Sequence, residues 1–412
     1  MKTRKLKGKK CLTENFFTLL LNLEDGWSVS SIKSDLKASE VYIKIECQLR
    51  EFTDPETGDI CKLYDHAPER TWRHLDTMQY KTYITCRLPR MRTRSGKVKT
   101  VNPCWASGYE RHTYLFEHAV IDLLKASKNQ TKTAELMRCS FDVVNRIIHL
   151  STERGMSRRA LSSVSFDHLS IDEKSFKKGH KYITVLSHPA SGCVLEVEEG
   201  RSKKSCKSLL NKSLTEDQQK SVTTISMDMW KAFITTSKKM LPNAEIVHDR
   251  FHLIKYLNEA IDKVRRREVK HHEELKHSRY ALLKNKENLT EQQRIKFEAI
   301  SEANYEVSRA WQVRENFKDL FSSNLTSGFI LYARWAANSI GKKIKEITKV
   351  VDIFNNHMRG VINALIFNFN NAMAERLNGK IQEIKTVGRG YRTFKNFRSA
   401  ILFSMEDLAS IH

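Results

Sequence analysis

The order of strand-like and helix-like segments between residues 164 and 248 constrains the fold more than any other feature of the sequence. Strands are predicted near Val164–Ile171, Tyr182–Ser187, Cys193–Glu198, Val222–Met227 and Glu245–His248, and helices near Lys203–Lys212 and Lys231–Leu241. Three strands that can meander, followed by strand–helix units, indicate a mixed α/β sheet.

A long helical segment follows the predicted sheet. Residues 252–360 are charged, have almost no strand signal, and contain a capping box of Thr290 and Gln293 that opens a long helix. A last helix is predicted from about Ala372 to Lys385, ending at Gly388. We therefore expect an α/β domain that is interrupted by an all-helical insertion.

The charge balance indicates a polyanionic partner. Of 412 residues, 71 are Lys or Arg and 48 are Asp or Glu, which gives a formal net charge of +23. An excess of this size, spread along the chain, favours nucleic acid as the partner. No apolar run approaches the ~20 residues that span a bilayer, and no small-residue cleavage site follows the apolar stretch Phe16–Leu23. We therefore expect a cytoplasmic protein without a membrane partner.

Residues 113–154 have the pattern of short helices joined by a tight turn. Helices are predicted at Leu115–Ala126, Lys132–Arg138 and Phe141–Ser151, with Ser140 as the cap of the third and Val144, Ile147 and Ile148 as its apolar face. Asn145, Arg146 and His149 lie opposite that face, and Arg158 and Arg159 follow in a basic linker. The pattern fits a DNA-binding helix-turn-helix, with a plain helical hairpin as the alternative.

Acidic residues follow the predicted strands. Asp172, Asp228 and Asp249 each come at the end of a strand, and Glu375 shares a face of the last helix with Asn378. Carboxylates on rigid elements suit Mg²⁺, and a pair of divalent ions supports phosphoryl transfer on nucleic acid. Spacing alone does not rank Asp249 below Asp228.

Four ordered motifs follow one another along the chain: Ile171–Phe176 with Gly179–Tyr182, then Met227–Trp230, Asp249–His252 and Ala374–Ile381. They resemble the catalytic-domain signatures of the ISL-three family of bacterial insertion-sequence transposases. The segments Thr71–Asp76 and Lys385–Phe403 are also similar to that family. The resemblance covers nearly the whole chain.

The resemblance implies a ribonuclease H-like catalytic domain with the acidic triad Asp172, Asp228 and Glu375, which would hold two Mg²⁺ or Mn²⁺ ions. Asp249 and His252 resemble a supporting Asp-x-x-His element. The implied activity is cleavage and transfer of double-stranded DNA at the terminal inverted repeats of an insertion sequence. A homodimer or larger assembly, associated with the nucleoid when bound to DNA, is also implied. The alternative is a catalytically inactive DNA-binding descendant, which damaged acidic positions would mark.

A cysteine-containing module precedes the helix-turn-helix. The corresponding region of the family resembles a zinc ribbon, but here the later ligand pair is replaced by Arg90–Gly96, whose Arg90, Arg92 and Arg94 are candidate DNA contacts. A nonstandard zinc site from Cys47, Cys61, His66 and Cys86 is one alternative. A module stabilised by its own apolar contacts is the other, and the missing pair favours it. The chain's eight cysteines are expected to be reduced.

Aromatic and basic residues near the predicted acids are further candidates for DNA contact. Trp230 follows Asp228 by two residues, where a base could stack on it; packing at the start of the next helix is the alternative. In the carboxy-terminal tail, residues 388–398, the candidates for phosphate contact are Arg389, Arg392 and Lys395. The basic run Arg265–Lys270 is either a DNA contact or a solvated helix face.

These features divide the chain into six expected segments. They are an amino-terminal strand and helix segment (1–46), a zinc-ribbon-like module (47–105), a helix-turn-helix region (106–160), the first part of the catalytic domain (161–251), the helical insertion (252–361) and the second part with the glutamate helix (362–412).

Overall fold

The protein divides into two compact units, one ending at Ile147 and the other beginning at Ile148. A computed structural model describes residues 12–108, 110–160, 165–177, 179, 181–284, 286–322, 328–367, 369 and 372–405. No helix in these ranges is long and apolar enough to cross a membrane.

The first unit begins with one helix and two small sheets. The elements are α1 (Leu12–Leu20), β1 (Trp27–Asp35), β2 (Glu40–Cys47), β3 (Glu51–Thr53), β4 (Ile60–His66), β5 (Arg70–Arg73), β6 (Lys81–Cys86), β7 (Pro89–Arg92) and β8 (Val98–Thr100). One sheet has the order β1-β2-β6-β5 and the other β3-β4-β7-β8. Because β2 pairs in parallel with β6, the expected boundary between residues 46 and 47 falls inside a sheet.

Aromatic side chains form the core of these sheets. Trp105 packs edge-on against Trp27 and Trp72, with ring centroids 5.1 and 5.7 Å apart. Trp72 is fully buried in this cluster together with Ile84 and Cys86. Burial of aromatic surface on this scale is a main source of stability in a small β-module.

Three helices complete the helix-turn-helix region. They are α2 (Tyr114–Ser127), α3 (Gln130–Leu136) and α4 (Phe141–Ala160). The Thr113 hydroxyl caps α2 by accepting from the Phe116 amide. Ser140 begins α4 as predicted, since its hydroxyl accepts from the Val143 amide, and the predicted apolar face of α4 is buried. Arg138, in the turn before α4, contacts the Asp76 carboxylate at 2.9 Å and so fixes that turn to the β-module.

The second unit contains a five-stranded mixed sheet. Its strands and helices are β9 (His168–Lys177), β10 (Lys181–His188), β11 (Cys193–Glu199), α5 (Lys203–Ser213), α6 (Glu216–Ser221), β12 (Thr224–Met227), α7 (Lys231–Met240) and β13 (Glu245–His248). The strand order is β11-β10-β9-β12-β13; β9 is antiparallel to β10 and parallel to β12. The predicted meander and mixed sheet are confirmed. The short helix α6 was not predicted, although Thr215 and Gln218 form its capping box.

Helices separate this sheet from the glutamate helix, as predicted. They are α8 (Arg250–Glu268), α9 (Arg279–Leu283), α10 (Glu291–Glu302), α11 (Glu306–Asp319), α12 (Gly328–Gly341), α13 (Lys345–Asn356) and α14 (Met358–Phe367), with short 3-10 turns at Glu273–Leu275, Lys286–Asn288 and Leu320–Ser322. Trp311 and Trp335 are buried in their core. Thr290 and Gln293 form the predicted capping box.

The basic run in α8 is engaged within the helices. Arg265 and Arg266 both pair with Asp262, at 2.8 and 2.6 Å. Arg267 bridges Glu306 and Glu346, at 2.6 and 3.1 Å. These ion pairs favour a structural role for the run over DNA contact.

Two carboxy-terminal helices pack against the outer strands of the sheet. They are α15 (Ala372–Val387) and α16 (Phe394–Met405), and Leu377 and Phe397 are buried there with Val197 of β11. Arg398 pairs with the buried Glu196 at 2.5 Å. His149 was predicted to lie on the exposed face of α4. Instead its imidazole lies 2.6 Å from the Ser399 hydroxyl, because this part of α4 packs against α16.

Candidate active site

Parallel pairing of β9 and β12 brings Asp172 and Asp228 to the same edge of the sheet. Ser170 pairs with Ser226, and each aspartate follows its serine by two residues. Residues two apart along a strand share a face. The two carboxylates therefore lie side by side at the point where β12 ends. Asp228 directly follows β12 as predicted, whereas Asp172 lies within β9, which continues to Lys177 and does not end at Ile171 as expected.

His252, on the first turn of α8, contacts both carboxylates. Its Nδ1 lies 3.3 Å from Asp228 Oδ2, and its Nε2 lies 3.7 Å from Asp172 Oδ1. Burial lowers the pKa of His252, but its hydrogen bonds to the two aspartates outweigh burial and raise the pKa to about 10. The ring is thus a cation placed between two anions.

Two further side chains fix Asp172. The Lys174 ammonium lies 2.9 Å from Asp172 Oδ2, and the Asn378 amide donates to the same oxygen at 2.9 Å. Burial alone raises the pKa of Asp172, but His252 and Lys174 outweigh it and hold that pKa well below its usual range. The pKa of Asp228 is lowered in the same way, since His252 outweighs burial there as well.

Glu375 lies on α15, the helix that contacts Asp172 through Asn378. It precedes Asn378 by three residues, so the two share a face of the helix. Because Asn378 contacts Asp172, this face of α15 adjoins the aspartate pair. Glu375 itself is exposed to solvent.

Asp249 has a different environment from Asp228. Its carboxylate caps α8 by accepting from the Phe251 amide at 2.7 Å. Burial raises its pKa, although His252 acts in the opposite direction. A carboxylate used as a helix cap positions the helix that carries His252, which is consistent with the supporting role expected for it.

The donor set of the aspartate pair suits a divalent cation. Two carboxylates converge on one cationic ring, so the space between them stabilises positive charge, and hard divalent ions prefer such oxygen ligands. No group of three or more His, Cys, Asp or Glu among the described residues is arranged to hold a metal ion. The fit of this site to a divalent cation therefore rests on Asp172 and Asp228, with Glu375 on the adjoining helix α15.

Comparison with known proteins identifies the family. The DDE-type model of the ISL3 transposases, described as a transposase, matches residues 169–401, which is more than half of the chain. The chain belongs to the ISL3 family of transposases. A second model, the helix-turn-helix domain of transposase family ISL3, matches residues 101–151 and supports DNA binding by that region. The resemblance to the ISL-three family is thereby confirmed.

Two curated transposases are similar along most of their length. The chain is 27% identical over 364 residues to the transposase for insertion sequence element IS1557 of Mycobacterium tuberculosis, covering 80% of each protein. It is 24% identical over 354 residues to the transposase for insertion sequence element IS1001 of Bordetella parapertussis, covering 83% of this chain and 86% of that protein. A DDE transposase domain implies the use of divalent metal ions.

The cysteine module of this ISL3 transposase does not gather the four candidate zinc ligands. Cys86 is buried with Trp72, whereas Cys61 is buried in a separate cluster with Phe52. Burial raises the pKa of the Cys86 thiol to about 12, and seven cysteines in the described part of the chain are free. No three of Cys47, Cys61, His66 and Cys86 form a metal-binding group in that part. Their strands place the cysteines in apolar clusters instead.

The predicted DNA contacts of the first unit are engaged with neighbouring side chains. Arg90 pairs with Asp65, Arg92 lies 4.3 Å from the Tyr64 ring centroid, and Arg94 pairs with Asp59 at 3.0 Å. On α4, Asn145 is half-buried, while Arg146 is exposed and pairs with Glu110 at 2.9 Å. These cations reach solvent but have partners within the fold.

The predicted contacts of the second unit are more exposed. Arg389, Arg392 and Lys395 all reach solvent, and so does Arg158 on α4; the Arg159 side chain lies outside the described residues. Trp230 is 41% exposed and directly precedes α7.

Some residues at the site were missed by sequence reasoning. Lys174 and Asn378 contact Asp172 directly, and Arg201 stacks on Trp230. The spacing of Asn378 from Glu375, one helical turn, was a usable signal for Asn378. No local pattern distinguishes Arg201 from the many other basic residues of the chain.

Proposed function

We propose that the chain is a DDE transposase that cleaves DNA at the ends of an insertion sequence and transfers the strands to a target. Asp172, Asp228 and Glu375 would be its catalytic acids. The observation that carries this proposal is the convergence of Asp172 and Asp228 on His252, together with the contact of Asn378, one turn from Glu375, with Asp172.

The protein's main contribution to the reaction is to position the metal ions and the reacting groups. Two divalent ions, Mg²⁺ or Mn²⁺, would activate the attacking oxygen and stabilise the leaving oxygen. Asp172 and Asp228 would hold these ions from the sheet, and Glu375 would hold them from α15. Asn378 and Lys174 fix the Asp172 carboxylate, while Asp249 fixes the start of the helix that carries His252.

The same arrangement serves two successive reactions. Water first attacks the phosphodiester bond at the end of the element and leaves a 3′-hydroxyl. That hydroxyl then attacks a phosphodiester bond of the target DNA. Both are in-line displacements at phosphorus, so one rigid set of acids can orient both.

A ribonuclease H-like fold is part of the proposal. Its support is the sheet order, in which three antiparallel strands are followed by two strands parallel to β9. In this arrangement Asp172 lies within β9, Asp228 directly follows the neighbouring β12, and the glutamate comes from a helix after the inserted helices.

DNA recognition is assigned to the first unit and α4. The helix-turn-helix region would read the terminal inverted repeats, and the basic side chains of the β-module and carboxy-terminal tail would bind phosphates. Because two DNA ends must meet before transfer, we propose a homodimer or larger assembly on DNA, at the nucleoid. The inactive alternative predicts damaged acids, whereas all three are present in the sequence.

A charge-removing substitution tests this assignment. Asp228→Asn should lower the cleavage rate with Mg²⁺ by roughly 10³-fold or more, since a metal ligand supplies several kcal/mol and ~1.4 kcal/mol is tenfold in rate. Binding to a duplex of the terminal repeat, measured by fluorescence anisotropy, should persist. The matched control is Asp217→Asn, a change in a carboxylate that is 99% exposed on α6. Cleavage by Asp228→Asn at the rate of the control would refute the assignment.

A further inference from the structure

A stacked group of side chains includes sequence neighbours of both aspartates. The guanidinium carbon of Arg201 lies 4.2 Å from the centroid of the Tyr182 ring and 4.7 Å from that of Trp230. The same guanidinium donates to both carboxylate oxygens of Glu173, at 3.2 and 3.4 Å. We call Glu173, Tyr182, Arg201 and Trp230 the Arg201 cluster.

The Arg201 cluster is attached to the candidate active site at two points. Glu173 directly follows Asp172 on β9, and Trp230 follows Asp228 by two residues. Tyr182 comes from β10, and Arg201 comes from the turn after β11. Successive residues of a strand point to opposite faces, so Glu173 and Tyr182 lie on the other face of the sheet from Asp172. Trp230, just after the end of β12, is the member that connects the cluster to the acids.

Arg201 fixes Trp230 in two ways. The indole Nε1 donates to the Arg201 carbonyl oxygen at 3.0 Å, and the guanidinium covers the indole ring. The Trp230 side chain nevertheless remains 41% exposed. A large aromatic ring that is held in one orientation, is open to solvent and follows Asp228 by two residues is a surface on which another flat group can stack.

We propose that Arg201 is a positioning residue that holds Trp230 as a stacking platform for an unpaired base next to the cleaved phosphodiester bond. This inference rests on the proposed function. It narrows the substrate to DNA in which one nucleotide at the cleavage position leaves the double-helical stack. A planar guanidinium can stack on two rings and bind Glu173 at once, which a lysine ammonium cannot do.

Cleavage rates of Trp230 and Arg201 variants test the platform. The substrate is a duplex of the terminal repeat of the insertion sequence that encodes the chain, with Mg²⁺. Trp230→Ala should slow cleavage by about 10-fold, the effect of removing one stacked base, while Trp230→Phe keeps most of the rate. Arg201→Ala and Arg201→Lys should each slow cleavage, and the double variant Arg201→Ala/Trp230→Ala should be no slower than Trp230→Ala alone.

A fluorescent base distinguishes a positioning role of Arg201 from a merely structural one. 2-Aminopurine is placed in turn at each nucleotide that flanks the cleaved bond. At one position its fluorescence should change when wild type or Trp230→Phe binds, and this change should be absent with Trp230→Ala and Arg201→Lys. The thermal unfolding midpoint of each variant is measured alongside, and Trp230→Phe and Arg201→Lys are the variants least disturbing to the fold.

The matched control is Arg294→Ala. Arg294 is an exposed arginine paired with Glu291 at 2.7 Å on α10, and its variant should cleave at the wild-type rate. Wild-type cleavage by Trp230→Ala, additive losses in the double variant, or an unchanged 2-aminopurine signal with wild type would each overturn the platform. Absence of cleavage by the wild-type protein would instead count against the proposed function.

Discussion

The two units of the molecule use their basic side chains differently. In the β-module of the first unit, Arg90, Arg92 and Arg94 each contact an acidic or aromatic neighbour. In the carboxy-terminal tail of the second unit, Arg389, Arg392 and Lys395 are exposed, and none of them forms an ion pair with another described residue. The comparison distinguishes basic side chains that have partners within the fold from basic side chains without an ion-pair partner among the described residues, and the second group is the more available to phosphates.

The units also differ in how they stabilise their candidate ligand residues. Cys86 of the first unit is buried among tryptophans and other apolar side chains, and this burial raises the pKa of its thiol. Asp172 and Asp228 of the second unit are instead stabilised as carboxylates by His252. The candidate ligand residues of the first unit are therefore held by apolar packing. Those of the second unit are held by ion pairs at one edge of its sheet.

The largest effect is expected from the core of the first unit. Trp72→Ala removes a fully buried indole and should lower the free energy of unfolding by about 3–5 kcal/mol. The measurement is denaturant unfolding, with Met78→Ala, at a side chain 89% exposed, as the control. If apolar packing alone stabilises this module, a zinc chelator leaves the free energy of unfolding of the wild type unchanged. A chelator-induced destabilisation comparable to that of Trp72→Ala would mean that zinc holds this module.

A smaller effect is expected from pH. Burial lowers the pKa of His74 from 6.5 to about 4, so the unfolded chain binds this proton more tightly than the folded one. The stability from neutral His74 is fully present above about pH 6.5 and is lost as pH falls towards 4, by roughly 3 kcal/mol in total. His74→Gln should weaken this pH dependence in denaturant titrations, whereas an unchanged pH profile would contradict the assignment to His74.

The smallest effect is expected from the exposed tail cations. Replacing Arg389, Arg392 and Lys395 together by Ala should reduce the slope of log affinity against log salt by about 0.9 for each DNA phosphate that these cations neutralise in the wild type. Arg90→Ala, at a cation already paired with Asp65, is the comparison and should change the slope less. Equal slopes for both variants, measured by anisotropy over a salt series, would remove the distinction between paired and available cations.

Much of the second unit was predictable because its signals are local. Strand positions, the βα order and the long helical stretch follow from hydrophobic periodicity and helix caps within short windows. The pairing of β2 with β6 in the first unit was not predictable in this way. The two strands are parallel, lie about 40 residues apart in the sequence and are not joined by a tight hairpin turn. The resemblance to the family, and not spacing, ranked Asp228 above Asp249.

The sequence by itself predicted the mixed sheet, the helical segment and the helix-turn-helix. Its resemblance to the family also indicated three candidate acids, Asp172, Asp228 and Glu375. Only the tertiary structure decided which side chains surround those acids. His252, Asn378 and Arg201 come from three different elements, and their contacts depend on strand register and helix packing. Such contacts join residues far apart in the chain, so no local sequence pattern encodes them. The same reason explains Cys86 and Cys61 of the first unit, which strand packing buries in separate apolar clusters.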